Sequence, residues 1–188
     1  CYANTPKFEI IENGPARIAI KITREAEYST INQIVSLYPD SKVIRFDNEI
    51  DWRTRRTLLK AVFPLASSNY VAKYDSGLGY TQRENNSEKL YEVPAQKWAD
   101  ITAGSGKYGV SVFSDCKYGW DKPADNTIRL TLIHTPSTEK RYPHQRDLDL
   151  GVNHFTYSIV GHKGTDRSGV VAASEQLNLP LVAYVAPK

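Results

Sequence analysis

A repeated alternation of apolar and polar residues is the feature that most constrains the fold of this chain. The alternation is clear in residues 18–23, 31–37 and 44–52, where most alternate residues are apolar. Successive side chains of a strand point to opposite faces, so each run can bury one face and expose the other. Residues 58–63 are more continuously apolar, as is typical of a more deeply buried strand. The pattern predicts long antiparallel strands.

Further strands and one helix are predicted between turn-forming residues such as Asn13-Gly14-Pro15. The strands fall at residues 69–74, 90–93, 108–113, 127–134, 154–160 and 179–185. Residues 168–178 predict the helix, with Ser168 as its cap and with Asn178 and Pro180 at its end. Many strands at short intervals predict an all-β antiparallel sandwich with one short helix near the C-terminus. We expect residues 1–188 to form a single sandwich domain.

The composition of the chain limits the kinds of partner that this domain can bind. The chain has 188 residues, of which 40% are hydrophobic, and a chain of this size buries roughly 70% of its unfolded surface. Its 24 basic and 21 acidic residues give a net charge of +3, whereas nucleic-acid binding usually requires a strong basic excess on one face. No stretch approaches the roughly 18 apolar residues of a membrane span. We therefore expect neither nucleic acid nor a bilayer as a partner.

The first residue and the cysteines bear on processing and compartment. The chain begins with Cys1 and contains no Met, so we expect that it is processed or is cut from a longer protein. Two cysteines, Cys1 and Cys116, cannot build a disulfide framework, and the fold does not depend on oxidation. Exported, periplasmic and cytoplasmic locations all fit this composition.

The histidines give no metal site of common spacing. No two of His134, His144, His154 and His162 lie three to five residues apart, and no cysteine pair joins them. We expect His134 and His154 at strand ends, and His144 and His162 in loops. A cluster of a histidine with an acidic residue that only the fold brings together stays open.

A row of carboxylates at Asp47, Glu49 and Asp51 has two interpretations. Alternate residues of a strand lie roughly 7 Å apart, which superficially suits the carboxylate pair of a glycosidase. Arg45 and Arg53 lie nearby in the sequence, which favours a solvated strand face with ion pairs. We therefore predict no catalytic residue from this row.

Trp120 is the aromatic residue most suited to a surface position, because it lies in a turn-like Tyr-Gly-Trp-Asp segment. An exposed indole can stack on a sugar ring, although aromatic residues are also ordinary in strands. The residues by themselves predict a β-sandwich that faces carbohydrate.

Three groups of segments together resemble a known family. They are residues 43–53 with 58–64, residues 91–100 with 108–110, and residues 115–121 with 126–133 and 154–157. In this order and spacing they resemble the C-terminal β-domain of the α-mannosidases of glycoside hydrolase family 38, with the bacterial and cytosolic or lysosome-related branch as the nearest match. The resemblance covers most of residues 8–186.

The resemblance implies a galactose-mutarotase-like supersandwich that belongs to a zinc-dependent enzyme. Family members hydrolyse terminal α-mannosides with retention of configuration. Their zinc ion and Asp nucleophile lie in an N-terminal catalytic domain that opens with a His-x-Asp motif, and this chain contains no His-x-Asp. The resemblance therefore implies a non-catalytic domain without a metal of its own. Its expected partners are the parent's zinc-bearing catalytic domain and α-mannoside glycans.

The long polar loop at residues 136–151 is the expected contribution to the substrate cleft. Residues 145–151 resemble an Asn-Arg-Gly-Leu-Gly-Gln-Gly segment of Golgi-type members, in which the Arg lies near the substrate. Arg146 and Gly151 match this segment, whereas Asp147 and Asp149 replace its inner glycines. The resemblance makes Arg146 and Gly151 candidates for substrate binding, beside Trp120. Arg146 can equally be an exposed loop residue.

Two alternatives remain for the function. The chain can be a stand-alone carbohydrate-binding module that uses Trp120 and neighbouring tyrosines. It can also be a purely structural sandwich whose loops do not reach a substrate.

Overall fold

Thirteen strands and one α-helix form in the part of the chain that the structure, a computed structural model, describes: residues 5–138 and 141–184. The strands are β1 Lys7–Asn13, β2 Ile18–Ala26, β3 Ser29–Leu37, β4 Ile44–Trp52, β5 Thr57–Pro64, β6 Ala72–Asp75, β7 Tyr80–Arg83, β8 Val93–Pro94, β9 Trp98–Thr102, β10 Tyr108–Ser114, β11 Gly119–Ala124, β12 Thr127–Thr135 and β13 Gly151–Lys163. The helix is α1, Ser168–Asn178, and a single 3-10 turn spans Pro143–Gln145.

The strands form two sheets of unequal size. The larger sheet has nine strands in the order β1-β2-β3-β4-β13-β10-β9-β6-β7, and the smaller has four in the order β5-β12-β11-β8. Every strand pair that the described residues form is antiparallel. The predicted all-β antiparallel fold with one short helix near the C-terminus is therefore confirmed.

The core lies between the facing sheets. Ile50 and Phe155 of the large sheet pack in one cluster with Ile128 and Leu130 of the small sheet, and all four side chains are at most 3% exposed. Burial of each such side chain contributes about 1.5–3 kcal/mol to stability. The period-two alternation of residues 44–52 thus does what the sequence predicts, since Ile50 and Trp52 face the small sheet. In residues 18–23 the apolar side chains of Ile18 and Ile20 stay 47% and 37% exposed.

Trp120 lies in a buried strand and not in a surface turn. Trp120 pairs with Leu130 of β12 on one side and with Val93 of β8 on the other, and its side chain is 0% exposed. The prediction of a surface aromatic is wrong because Gly119 and Pro123 make a short strand look like a turn. An indole without an exposed face cannot stack on a sugar ring.

Three local predictions also need correction. His162 lies in β13 and not in a loop. Ser168 is the first residue of the helix and not its cap, which is Arg167; Asp166 accepts hydrogen bonds from the Ser168 amide at 2.9 Å and hydroxyl at 3.0 Å. The helix ends at Asn178 as predicted, but the strand predicted at residues 179–185 is wrong over its described part, 179–184.

The tail after α1 shows why its apolar pattern is not sufficient for a strand. Leu181 is 104% exposed and Val182 is 84% exposed, so these side chains pack on nothing in the described chain. A strand needs a sheet edge within reach to pair its backbone groups. Val185 lies outside the described residues.

A buried polar cluster holds β9, β10 and β13 together on the outer face of the large sheet. The Asp100 carboxylate, 0% exposed, accepts hydrogen bonds from Ser111 Oγ at 2.6 Å, Thr102 Oγ1 at 2.7 Å and Arg167 Nε at 3.0 Å, and it lies 2.6 Å from His162 Nε2. Burial by itself raises the pKa of Asp100, but these hydrogen bonds outweigh burial and lower the pKa below its ordinary value.

Gly109 is the position where this cluster tolerates no side chain. It lies opposite His162 and Thr102, and a Cβ atom there would be 2.4 Å from His162 Nε2 and 3.0 Å from Thr102 Cα. We expect Gly109→Ala to lower the free energy of unfolding by about 1–3 kcal/mol, because His162 must move away from Asp100. Urea unfolding at neutral pH measures this change.

Gly161→Ala is the matched control. Gly161 also lies in a paired strand, but a Cβ there meets only Gly109 O, at 4.0 Å. This variant should stay within about 0.5 kcal/mol of the wild type. Equal midpoints for the two variants would show that His162 is not held against Gly109.

Candidate functional site

Two connections cross between the sheets at the same end of the sandwich. Residues 53–56 lead from β4 to β5, and residues 136–150 lead from β12 back to β13. Gly151 pairs with Trp52, and Thr135 pairs with Thr57, so the two connections start and end side by side. The sandwich therefore places the long polar loop against a second, arginine-rich segment.

The C-terminal half of the long loop is held by hydrogen bonds around Asp149. Asp149 Oδ2 accepts a hydrogen bond from the His134 amide at 2.8 Å, and Asn153 Nδ2 donates to the Asp149 carbonyl at 2.9 Å and to the Gly151 carbonyl at 3.0 Å. The backbone of Asp149 is left-handed, with φ +59°. Asp tolerates this region better than most residues, so it can occupy a position where the similar family segment has glycine.

An ion pair joins the two connections. Asp147 accepts a short hydrogen bond from Arg55, and it also lies 3.5 Å from Arg146 Nε. The Arg146 side chain is 50% exposed and follows directly on the 3-10 turn Pro143–Gln145. Since 3.5 Å is too long for a strong hydrogen bond, most of the donor capacity of this guanidinium faces solvent.

Gly151 has a conformational role at the start of β13. Its φ is +108°, which side-chain-bearing residues rarely adopt, and a Cβ atom there would meet nothing within 4 Å. Arg146 thus lies on the loop and Gly151 lies directly after it, at the start of β13, whereas Trp120 lies in the core between the sheets.

Two carboxylates of the row on β4 form ion pairs with arginines, and the third lies near a histidine. Asp47 lies 2.7 Å from Arg45, Asp51 lies 2.7 Å from Arg53, and Glu49 lies 3.9 Å from His154. These side chains are partly exposed on the outer face of the large sheet. The geometry supports the solvated-face interpretation of this row.

A second charged cluster on the small sheet was not predicted from the sequence. Asp121, 0% exposed, accepts hydrogen bonds from Lys60 and from Arg129 Nε. Lys60 also donates to Glu92 at 2.9 Å, and Arg129 donates to the Tyr91 hydroxyl at 2.9 Å. Such a cluster fixes β5, β11 and β12 to one another, and its charges are compensated internally.

Comparisons with known proteins decide the family. The family model described as "Glycosyl hydrolases family 38 C-terminal domain" matches residues 2–142, which is most of the chain. The chain belongs to glycosyl hydrolase family 38. The resemblance that the sequence motifs suggest is therefore confirmed.

Curated relatives of this family 38 chain are α-mannosidases. Alpha-mannosidase 2C1 of Mus musculus is 32% identical over 165 residues, which are 85% of the chain and 15% of the mouse protein. Alpha-mannosidase of Saccharomyces cerevisiae is 28% identical over 201 residues, with 100% of the chain and 18% of the yeast protein covered. The chain thus spans about 15% of the length of the curated relatives it matches.

Solved structures confirm the fold. A family 38 protein from Enterococcus faecalis matches with a TM-score of 0.79 and 16% identity over 94% of the chain and 25% of that protein. A protein named as an aldose 1-epimerase from Klebsiella pneumoniae matches with a TM-score of 0.51 and 13% identity, over 92% of the chain and 57% of that protein. The expected galactose-mutarotase-like supersandwich is confirmed for this family 38 domain.

The described residues of this family 38 domain offer neither a metal site nor a reactive thiol. In residues 5–138 and 141–184, no three His, Cys, Asp or Glu side chains form a group that could hold a metal ion. Desolvation and a hydrogen bond with Asp115 raise the pKa of the Cys116 thiol to about 11, which makes it a poor nucleophile at neutral pH. No helix in these ranges is long and apolar enough to cross a bilayer.

Lys122, beside the Asp121 cluster, is an unusual buried lysine. Its side chain is 1% exposed, and Nζ donates to Asn85 Oδ1 at 2.5 Å and to the Ala124 carbonyl at 2.9 Å. Neither acceptor is charged, and burial lowers the pKa of Lys122 from 10.5 to about 8.

This shift predicts a pH dependence of stability. Between about pH 8 and 10.5 the unfolded chain keeps the Lys122 proton and the folded chain loses it, so the free energy of unfolding should rise with pH across this window. Lys122→Met lacks this titration. Urea unfolding should therefore show the wild type gaining stability relative to the variant between these pH values. Parallel curves for the two proteins would contradict the prediction.

Proposed function

We propose that this chain is a non-catalytic β-sandwich domain of a longer, zinc-dependent retaining α-mannosidase that hydrolyses terminal α-mannosides. The match of residues 2–142 to the family 38 C-terminal domain carries the proposal. The short share of the α-mannosidase relatives that the chain covers, 15% to 18%, supports it. In this proposal the domain packs on the catalytic part of its own polypeptide, and one of its loops contributes to the substrate cleft.

The state of the carboxylates supports a non-catalytic role. A retaining glycosidase needs two carboxyl groups roughly 5–5.5 Å apart, one as nucleophile and one as acid and base. Asp47 and Asp51 are bound to arginines, and Asp100 and Asp121 are buried in hydrogen-bonded clusters. The oxygens of these carboxylates already accept hydrogen bonds or ion pairs from neighbouring side chains, which leaves fewer lone pairs to attack a sugar ring.

The zinc ion of the parent enzyme does not fit the described residues, because they bring no group of ligands together. We therefore assign the zinc, the nucleophile and the acid and base to the catalytic part of the parent. The sandwich contributes packing and, through residues 145–151, contacts at the cleft.

Arg146 is the residue of this loop that is best suited to bind substrate. Its guanidinium carries five N–H donors in a plane, and its recorded ion pair with Asp147 is long, at 3.5 Å. The donors can therefore reach sugar hydroxyls or a carboxylate of the catalytic part. The Asp147–Arg55 ion pair and the hydrogen bond from the His134 amide to Asp149 hold the loop in place. Substrate binding therefore costs little further conformational entropy in the loop.

The runner-up function, a stand-alone carbohydrate-binding module, uses Trp120 and neighbouring tyrosines. Tyr118 is 53% exposed, but Trp120 is 0% exposed, so the module loses its largest aromatic contact with a sugar. We therefore prefer the enzyme domain.

The purified 188-residue chain should not hydrolyse 4-nitrophenyl α-mannoside. The reason is that the carboxylates of Asp47, Asp51, Asp100 and Asp121 are paired or buried and that no metal-ligand group forms among the described residues. The full-length parent is the positive control, and a chelator should abolish its turnover. Chelator-resistant turnover that copurifies with the 188-residue chain would contradict the assignment.

Arg146→Ala in the full-length enzyme should lower kcat/KM about 10-fold to 100-fold, because a hydrogen bond from a charged donor contributes about 1.5–3 kcal/mol. Arg141→Ala is the matched control, since Arg141 lies in the same loop and stacks over the Tyr142 ring at 5.4 Å. Steady-state kinetics of both folded variants give the comparison. Wild-type kinetics for Arg146→Ala would show that the loop does not contact substrate.

A further inference from the structure

One row of side chains crosses five strands of the large sheet on the face that is turned towards the core. Ile10 pairs with Ile20, Ile20 with Val35, Val35 with Phe46, and Phe46 with Tyr157. Directly opposed residues of antiparallel strands place their side chains on the same face. The row therefore runs from β1 to β13 along one continuous apolar surface.

Only one end of this row is covered by the small sheet. Phe46 stacks on Tyr157 with ring centroids 5.0 Å apart, and Phe63 of β5 meets Tyr157 edge-on at 5.6 Å. At the other end, Ile10 is 68% exposed and Ile20 is 37% exposed.

The exposed end forms a larger apolar surface, which we call the uncovered strip. It comprises Phe8, Ile10, Ile18, Ile20 and Leu37, each between 37% and 68% exposed. Ile18 pairs with Leu37, and Phe8 and Ile10 lie on the neighbouring strand β1. A contiguous apolar surface on the core side of a sheet marks a site of contact with other protein.

The free edge of the small sheet lies on the same side of the sandwich as the uncovered strip. β5 is the terminal strand of that sheet, and no described residues pair with its outer edge. A cavity of about 420 Å³ opens beside β5, between Phe63 and Leu59 on one side and Phe46 and Ile31 on the other. A strand paired with the outer edge of β5 would cover this cavity and the adjacent strand β3. Since strands of a sheet lie about 4.8 Å apart, about three added strands would cover β3, β2 and β1.

A second copy of the chain does not fit this edge. If β5 paired antiparallel with β5 of another copy, the core-facing sides of the two small sheets would lie on the same side of the joined sheet. The nine-stranded sheet of the second copy would then occupy the space that β1, β2 and β3 already fill. Whatever covers the uncovered strip must therefore add strands to the layer of the small sheet alone.

We propose that β-strands from elsewhere in the same polypeptide, outside residues 1–188, extend the small sheet at β5 and close the sandwich over the uncovered strip. The inference rests on the proposed function, because it requires a longer parent protein; the chain covers only 15% to 18% of its α-mannosidase relatives. Backbone groups at the β5 edge bind the first added strand, and alternate apolar side chains of that strand bury the strip.

Hydrogen exchange with peptide-level mass spectrometry tests this inference. The 188-residue chain and the full-length enzyme are compared at β5, Thr57–Pro64. The β5 amides should exchange at least about tenfold more slowly in the full-length enzyme, because their edge becomes paired. Equal exchange in the two proteins would overturn the inference.

A pair of matched variants keeps the test specific for the strip. Ile10→Lys places a charge on the strip, and Val152→Lys places the same charge on the outer face, opposite Asp51, at a side chain that is 59% exposed. In the full-length enzyme, Ile10→Lys should restore fast exchange at β5, and Val152→Lys should not. Unchanged β5 protection in Ile10→Lys would also overturn the inference.

Two other outcomes are distinguishable. A 188-residue chain that dimerises, with β5 protected in the dimer and exposed in Ile10→Lys, would assign the strip to a second copy and contradict the inference. A native protein of only 21.2 kDa would contradict the proposed function itself. A longer enzyme with fast-exchanging β5 would contradict only the added strands.

Discussion

The register of β13 between β4 and β10 is the constraint on which the rest of the structure depends. β13 pairs with β4 over Gly151–Ile159 and with β10 over Tyr157–Lys163, so it joins the two halves of the large sheet. Tyr157 faces the small sheet in this register, stacked on Phe46 and contacted by Phe63. A slip of one residue would turn the core-facing Phe155, Tyr157 and Ile159 outward, so the buried face specifies the register strongly.

The position of the candidate loop follows from this register. Because Gly151 begins β13 opposite Trp52, the loop before it must lie against the β4–β5 connection. Arg55 and Asp147 then meet although 92 positions separate them in the chain. Arg146 is held beside this ion pair with its donors outward, and such positioning on a rigid sandwich is how loops acquire binding roles.

Much of the large sheet was predictable from the apolar-polar alternation of β2, β3 and β4, although the core-side Ile18 and Ile20 of β2 stay exposed. β9 was missed for a physical reason: all five of its residues are buried, so it shows no alternation. β11 was missed because pairing on both sides overrides the turn-like character of Gly119 and Pro123. The strand predicted at residues 179–185 fails over its described part because the pattern cannot show whether a sheet edge is within reach.

The charged clusters could not be predicted by spacing. Asp121 binds Lys60 across 61 positions, and these contacts exist only because β5, β12 and β11 are neighbours. The loop was found through its length and polarity, and Arg146 within it through the family resemblance. The uncovered strip becomes visible only in the structure, where nine strands of one sheet face four of the other.

The most direct test of the central claim, that this chain is one domain of a longer α-mannosidase, is immunodepletion of an extract of the source cells with antibodies against the 188-residue chain. The account predicts that a polypeptide several times longer than 188 residues is removed together with chelator-sensitive α-mannosidase activity. Removal of a 21.2 kDa protein that leaves this activity in the extract would contradict it.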